Sequence, residues 1–564
     1  MAFRRSTADI DGYTPFTPER IQAYLDAGHW RNQPFHDVLD ERAERYPEKP
    51  FVVGPHGAST YSEIAERSKR LAAQFALEWE IEPLDRVALQ LTNRVEFVEL
   101  FFACSRVGAI PVMLLPRHRE AEVRHVVDLV DARAYVTLGA ADESRTDFVD
   151  LGEEAIGDVE GLDYRVAVSD EATDLPDEWM AYDELTDTAL TASVEHDLSA
   201  IEGNPNDPGL FVLSGGTTGM PKAIPRTHND YVYEWEWVAS SGAFPSDWTT
   251  LSCVPIGHNA SLVVVLGATL WAGATFAVEP VLKPEPLMAR IEDEGVNYAF
   301  AIPTQLIDIR EHKKADEYDL SSLEAVISGG AKVSPELVYD TVDRWGVDFY
   351  NNFGMAEGPT TFTRPGDEVD VQATTVGRPI NPEADEFRIL DPDTKESVAD
   401  GEPGEFVAKG PGVFTGYFRA PAENAKAFDD DGWLHTGDVL ARRPDGNFVV
   451  HGRLTDTIIR GGENIYAPGV EDEIIEHPAV EQVAVVGMPD ERLGERACAF
   501  VQLRDGVDGL TLDELVTFLD DRGLAVFKRP ERLEVVDRLP RTEVGKIDKA
   551  TLEEEAATAV GLEE

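Results

Sequence analysis

Apolar residues change their spacing several times along the chain, and each spacing predicts an element. In ERIQAYLDAG and FHDVLDERAERYP, within residues 1–50, they recur three and four apart, the interval that lines one helix face. RVALQL is a short apolar run, RVEFVELFFACSRVG returns to helical spacing and stops at Gly108, and IPVML is a second run. Strand, helix, strand in that order predicts a βαβ unit and hence a parallel sheet. FVLSGGTTGMPK, at 211–222, is an apolar strand running into a Gly/Thr loop, and TFAV, YAFAI, AVISGGAKVS and FYNNFGMAEG continue the alternation. Residues 140–207 are rich in Asp, Glu and Gly and only weakly periodic, so variable surface structure is expected there.

From about residue 376 the pattern shortens into segments broken by turns, such as GRPINPEADEFRIL, GEFVAKG, GVFTGYF and GWLHTGDVLARRPDGNFVVHGR, which predicts a small β-rich unit. After Asp456 it restarts as a compact α/β segment. PGVEDEIIEHP reads as a helix, VEQVAVVGMPD and CAFVQL as strands, and TLDELVTFLDDRG as a helix closed by Gly523. A boundary near 456 separates an N-terminal part, 1–455, from a C-terminal part, 456–564. The longest uncharged run lies between His258 and Glu279 and holds several Gly, Ala and Thr. It predicts a buried helix followed by a strand, since a membrane span needs about 20 strongly apolar residues.

Charge narrows the functional classes. The chain carries 106 Asp and Glu against 50 Lys and Arg, a net charge of −56. Sequence-independent nucleic-acid binding needs clustered cations and is excluded. The acids run throughout, as in EDEGV, DDDGW and EDEIIEH, rather than in a tail. That distribution fits a protein of a salt-rich cytoplasm, where hydrated carboxylates keep a crowded surface soluble; the alternative is an ordinary acidic cytosolic protein. Cys104, Cys253 and Cys498 are isolated, so neither a disulfide framework nor zinc spacing is present. The opening MAFRRSTADIDGYTPF has an Arg pair with no apolar stretch behind it, so a twin-arginine signal is not expected.

SGGTTGMPK offers the chemistry of a phosphate loop. Gly215, Gly216 and Gly219 permit tight turning and close N–H approach, Ser214, Thr217 and Thr218 add hydroxyls, and Lys222 adds charge. It is not the P-loop of nucleotide triphosphatases, which requires G-x-x-x-x-G-K-[ST]. Composition alone fits an ordinary Gly-rich turn equally well.

LSGGTTGMPKAIPRTHNDY, however, resembles the signature loop of the acyl-adenylate-forming superfamily. Within it the chain resembles the aryl-acid branch, the (2,3-dihydroxybenzoyl)adenylate synthases of siderophore pathways, which includes enzymes acting on salicylate. The similarity runs from HWRNQPFHDVL at 29–39 to the terminal GKIDK, with several motifs in the right order. It implies a large domain of two α/β sheets plus a small β-barrel, followed by a smaller α+β lid. It also implies ATP and Mg²⁺, with a pantetheine thiol of a carrier protein or of CoA as acceptor.

The resemblance assigns roles residue by residue. In NNFGMAEG, Phe353 with Gly354 would stack on adenine, Asn351 would read its amino group, and Glu357 would bind Mg²⁺. Gly329, Gly330 and Ala331 of SGGAKVS would form the adenine-side wall. Asp438 would accept both ribose hydroxyls, which suits a carboxylate facing a diol, and Arg453 would reach sugar or phosphate. Asp456 matches the hinge, and RGGENI the loop of the thiol channel. Lys546, in LPRTEVGKIDK, would be the catalytic cation bridging the acid and the α-phosphate.

In VPIGHN, His258 would gate the acid pocket or bond the carboxylate, and Asn259 would read the 2-hydroxyl of an aryl acid. The family's paired serines are missing further on. ASLVVVLG gives Ser261, then Val263, Val264 and Val265, a wall that leaves a 3-hydroxyl unpaired at about 1–3 kcal/mol. Asn352, in place of an aliphatic floor residue, could restore a polar contact. The acid is therefore 2,3-dihydroxybenzoate, salicylate or a related aryl carboxylate. An aryl-CoA ligase using free CoA shares the first step, and a non-catalytic nucleotide-binding protein of the same fold is the reading of another class. No membrane association is expected, and either a monomer or a homodimer fits.

The charge yields a direct prediction. Self-repulsion at −56 opposes compaction in dilute buffer, and molar salt shortens the Debye length to about 3 Å. Melting temperature and activity should both be higher in 2 M than in 50 mM KCl; equal stability in the two would refute the salt-adapted reading.

Overall fold

The computed structural model describes the chain outside residues 1–9, 140–146, 170–174, 187–188, 192–193, 195–197, 199–200, 202, 215–219, 461–462, 491, 505, 508, 542–546 and 560–564. The chain divides into two compact units, Met1–Phe387 with Ala408–Leu434, and Arg388–Val407 with His435–Glu564. This division does not fall at 456. Strand Phe448–Arg453 belongs with the C-terminal segment, because Gly452 approaches Pro468 so closely that a Cβ would lie 2.7 Å from the proline ring.

The larger unit holds two sheets. The seven-stranded sheet runs Trp179–Ala181, Tyr164–Val168, Ala132–Leu138, Arg86–Gln90, Ile110–Leu114, Pro208–Leu213, Ala223–Thr227. All its pairs are parallel except the last, where Pro208–Leu213 turns back antiparallel onto Ala223–Thr227. The predicted βαβ unit is its centre. Helix Val95–Val107 ends on Gly108 at φ 69°, the left-handed cap that glycine adopts without strain, and Ile110–Leu114 comes next, buried at every position. Burial on both faces is why this strand is apolar throughout instead of alternating.

Residues 140–207 correct the expectation of surface structure. Their described part supplies helix Phe148–Ile156 and strands Tyr164–Val168 and Trp179–Ala181, with Leu151, Ile156 and Val166 buried. The edge strand Trp179–Ala181 has only three residues, and acidic connections surround both strands and dominate the sequence signal.

The nine-stranded sheet contains the strands predicted as TFAV, YAFAI, AVISGGAKVS and FYNNFGMAEG, with the unpredicted Thr249–Ser252 between the first two. Asp348–Gly354, Ala325–Ser328, Tyr298–Phe300, Thr249–Ser252 and Thr275–Ala277 are neighbours in that order, and these pairs are parallel. The uncharged run after His258 forms a π-helical turn, Ser261–Gly267, then helix Ala268–Ala272 and strand Thr275–Ala277, as its helix-then-strand expectation required. No helix among the described residues is long and apolar enough to cross a membrane.

The β-rich unit is a four-stranded sheet, ordered Glu386–Leu390, Pro403–Lys409, Leu434–Arg442, Phe448–Arg453. It is an open path, not the closed barrel implied by resemblance; four strands are too few to close around packed side chains. GVFTGYF, grouped with these strands by sequence, is irregular. The second unit also holds a sheet in which Gly494–Leu503 lies between Val480–Asp490 and Arg532–Val536, the latter parallel to it. Helix Leu512–Asp521 opens on a Thr511/Glu514 capping box and is followed by Gly523 at φ 81°.

Gly267 shows how closely the larger unit is packed. A Cβ there would lie 1.9 Å from the ring of Trp235, itself fully buried on helix His228–Ser241. Gly267→Ala should lower unfolding free energy by about 1–3 kcal/mol, read as a lower denaturation midpoint with unchanged slope.

Candidate active site

The site is best built outward from Arg226. It lies in strand Ala223–Thr227 with its side chain fully buried. Its guanidinium donates to Asp230 Oδ1 at 3.0 Å, to the Ala356 carbonyl at 2.8 Å and to the Gly412 carbonyl at 2.7 Å, and pairs with Glu234 at 3.3 Å. Asp230 and Glu234 lie one helical turn apart on His228–Ser241, so one helix face supplies both carboxylates. The two carbonyls come from the loops that carry Glu357 and Tyr417. Gly358 lets those loops meet: its φ is +124° and a Cβ would fall 1.8 Å from the Gly412 oxygen.

On this base Ser214 and Lys222, which flank the Gly/Thr segment, converge with Glu357. The Ser214 N–H donates to the Lys222 carbonyl at 2.9 Å, and Ser214 Oγ accepts from the Lys222 N–H at 3.0 Å, closing the neck of the loop. Gly215, Gly216, Thr217 and Thr218 lie outside the described residues. Lys222 Nζ stands 5.0 Å over the ring of Tyr417, and Tyr417 Oη donates to Glu357 Oε1 at 2.7 Å. Tyr417, Arg226 and Tyr231 escaped the sequence reading. The available signal was the full charge of Arg226 directly after the apolar Ala223, Ile224 and Pro225.

The VPIGHN segment is tied to the loop of Glu357. Asn259 Oδ1 accepts from Tyr231 Oη at 2.9 Å, and its Nδ2 donates to the Met355 carbonyl at 3.4 Å. His258 Nδ1 accepts from the Ala260 N–H at 3.2 Å, which leaves the proton of a neutral ring on Nε2. Val263 and Val264 are buried in the π-helical turn, where the Val264 carbonyl accepts from Tyr298 Oη at 3.2 Å. Asn93 staples the segment from the other sheet: its amide donates to Ser252 and Val254 carbonyls at 3.2 and 2.9 Å and accepts from Ile256 at 2.6 Å.

Strand Asp348–Gly354 alternates its side chains. Asn351 is buried and donates to the Gln372 carbonyl at 3.2 Å, so its Oδ1 is the end suited to an amino group. Asn352 donates to the Thr361 carbonyl at 2.8 Å, and Gly329 passes so close that a Cβ would meet Asn352 Oδ1 at 2.9 Å. Phe353 is half-buried; Gly354, Gly330 and Ala331 are exposed, with Gly330 at φ +76°.

In the second unit, Asp438 and Arg453 face each other in register on adjacent strands, Arg453 Nε donating to Asp438 Oδ1 at 3.0 Å. Asp438 is buried while the Arg453 side chain is 63% exposed. Asp456 ends a short 3-10 turn, Leu454–Asp456, and accepts from Thr455 Oγ1 at 3.1 Å. Lys546 lies outside the described residues.

Residues 39–418 match the family model of the AMP-binding enzyme, and residues 469–546 that of the AMP-binding enzyme C-terminal domain. The chain belongs to the AMP-binding enzyme family. It is 38% identical to a salicyl-AMP ligase / salicyl-S-ArCP synthetase of Mycobacterium tuberculosis, over 99% of this chain and 97% of that one. It is 35% identical to a 2,3-dihydroxybenzoate-AMP ligase of Bacillus subtilis, over 97% and 98%. The apo structure of Mycobacterium smegmatis MbtA superposes with a TM-score of 0.71 at 36% identity, covering 96% of this chain and 99% of that one.

Burial gives the site a pH signature. Desolvation lifts the Glu234 carboxyl to about 8 despite Arg226, and lifts Asp385, which accepts from Tyr233 Oη at 2.7 Å, to about 7. Raised folded-state values mean that the folded chain holds protons the unfolded chain has released. Stability should therefore fall as pH rises from about 4.5 through 8. Glu234→Gln should flatten that slope in denaturation measured at pH 5, 7 and 9; an unchanged slope would contradict the assignment.

Proposed function

We propose that the protein is an ATP-dependent aryl acid–AMP ligase. It activates 2,3-dihydroxybenzoate, salicylate or a related aryl carboxylate to aryl-AMP and then transfers the acyl group to a pantetheine thiol of a carrier protein, in a siderophore-type pathway. The observation that carries this reading is the convergence of Lys222, Glu357 and Asn259 on loops held by one buried arginine. Family membership and the names of the full-length relatives support it.

In the first step a carboxylate oxygen attacks the α-phosphorus of ATP, and the bond from that phosphorus to the bridging oxygen of pyrophosphate breaks. Positioning and charge neutralisation are what the protein must supply. Ser214, Thr217, Thr218 and Lys222 hold the phosphates. Asn351, Phe353, Gly354 and Gly330 receive the adenine, Asp438 and Arg453 the ribose. Lys546 brings a cation to the reacting oxygens. His258, Asn259, Val263, Val264, Ala331 and Asn352 shape the acid pocket.

Glu357 suits Mg²⁺. A hard carboxylate oxygen is what this ion selects, and it is commonly held by one or two carboxylates with substrate phosphates and water. The described residues contain no cluster of three or more His, Cys, Asp or Glu that would form a cage instead. Bound there, Mg²⁺ would neutralise phosphate charge. In the second step the smaller domain turns about Asp456, the RGGENI loop frames a channel, and the thiol displaces AMP. Two half-reactions with different walls are served by one hinge.

The test is ATP–pyrophosphate exchange across a panel of benzoates at high KCl, with thioester formation then scored for a carrier protein and for CoA. Lys546→Ala should lower exchange by at least about 100-fold while sparing thiolation of supplied aryl-AMP. Equal loss of both half-reactions would contradict the hinge, and exchange independent of any aryl acid would refute the function.

A further inference from the structure

Asn259 is held by two contacts of opposite kind. Tyr231 Oη lies 2.9 Å from Oδ1, and the Met355 carbonyl lies 3.4 Å from Nδ2. A carbonyl oxygen can only accept, so the amide end facing Met355 is the NH₂ and the end facing Tyr231 is the oxygen. A flip would set two carbonyl oxygens against each other and leave the phenol proton without its acceptor.

Tyr231 itself has no freedom to release the amide. It is fully buried on helix His228–Ser241, with the Arg226 guanidinium 5.0 Å over its ring. Phe35 and Trp235 pack against it, each with a centroid distance of 5.9 Å. Asn259 is only half-buried, and one N–H of its amide has no further partner among the described residues. The N–H left over is therefore the amide's unpartnered donor, while Tyr231 already occupies one lone pair of its oxygen.

We propose that Tyr231 is a positioning residue that sets acid specificity. By holding the Asn259 oxygen, it makes the pocket require a ring substituent that accepts a hydrogen bond. The inference rests on the reading of Asn259 as the group that faces the ortho position of an aryl acid. An ortho hydroxyl gives its proton to its own carboxylate and turns a lone pair outward, where the amide N–H meets it. An ortho amino group has its lone pair drawn into the ring and presents N–H to N–H, leaving a buried donor unmatched. The pocket should therefore take 2-hydroxybenzoates and reject 2-aminobenzoates.

The experiment is ATP–pyrophosphate exchange at high KCl with salicylate, 2-aminobenzoate and benzoate, scored as kcat/KM. The unaltered enzyme should prefer salicylate to 2-aminobenzoate by about 10- to 100-fold. Tyr231→Phe frees the amide to turn and should reduce that ratio by about tenfold, with salicylate itself affected less than the ratio. Asn259→Asp, which replaces the NH₂ by an acceptor oxygen and also gives up the bond to the Met355 carbonyl, should lower overall activity and shift preference towards 2-aminobenzoate. A merely structural role for Tyr231 would lower both acids alike. Equal use of the two acids by the unaltered enzyme, or a ratio unmoved by both variants, would overturn the inference while leaving aryl-acid activation standing. Failure of every acid to support exchange would instead remove the parent reading, and this inference with it.

Discussion

A fully buried guanidinium holds the candidate site together. Removing a charge from water costs several kcal/mol unless it is paired and its donors are satisfied. Arg226 meets that requirement with the carboxyl groups of Asp230 and Glu234 from its own strand–helix corner, the latter lifted to about 8 by burial, and with two backbone carbonyls from distant loops. The carboxylates could solvate the charge partly on their own, but they leave N–H groups over. The carbonyls of Ala356 and Gly412 take those, so the loops bearing Glu357 and Tyr417 are drawn to fixed places. Arginine suits this task where lysine would not, because its planar fork reaches several acceptors at once.

The same arrangement links the three residues proposed for phosphate, metal and acid contact. Lys222 precedes Arg226 by four residues, Glu357 is next in the chain to the bonded Ala356, and Met355 bonds to Asn259. The residues proposed for phosphate, metal and acid contact thus lie on separate loops joined through Met355, Ala356 and Tyr417. The site sits where the two sheets adjoin: Asn93 lies just beyond a strand of the seven-stranded sheet yet bonds the segment after a strand of the nine-stranded one. Ligand sites of α/β sheets commonly lie beyond the carboxyl ends of strands, where loops can vary without disturbing the core.

Much of this was legible in the chain. The βαβ centre was plain because strands buried on both faces are uninterrupted apolar runs and its helix is capped by Gly108. The motifs gave Lys222, Asn259, Glu357, Asp438 and Arg453, and the structure brings the first three onto connected loops and the last two into register. What stayed hidden was non-local. Tyr417 sits in an irregular segment with no period, and its bond to Glu357 spans 60 residues. Arg226 bonds carbonyls 130 and 186 residues away, which no local spacing reports. The strands within 140–207 were obscured by their own acidic connections, and the four-stranded sheet differed from the barrel because strand count, not pattern, decides closure.

The central claim is that Arg226 acts on the proposed nucleotide site through the loop of Glu357. A double-mutant cycle of Arg226→Lys and Glu357→Gln, read as kcat/KM for Mg·ATP in pyrophosphate exchange, isolates that coupling. If Arg226 works by placing Glu357, the second substitution should cost much less once the first is made, with an interaction of at least about 1 kcal/mol. Strictly additive losses would show that the buried arginine and the carboxylate contribute independently, and would contradict the claim.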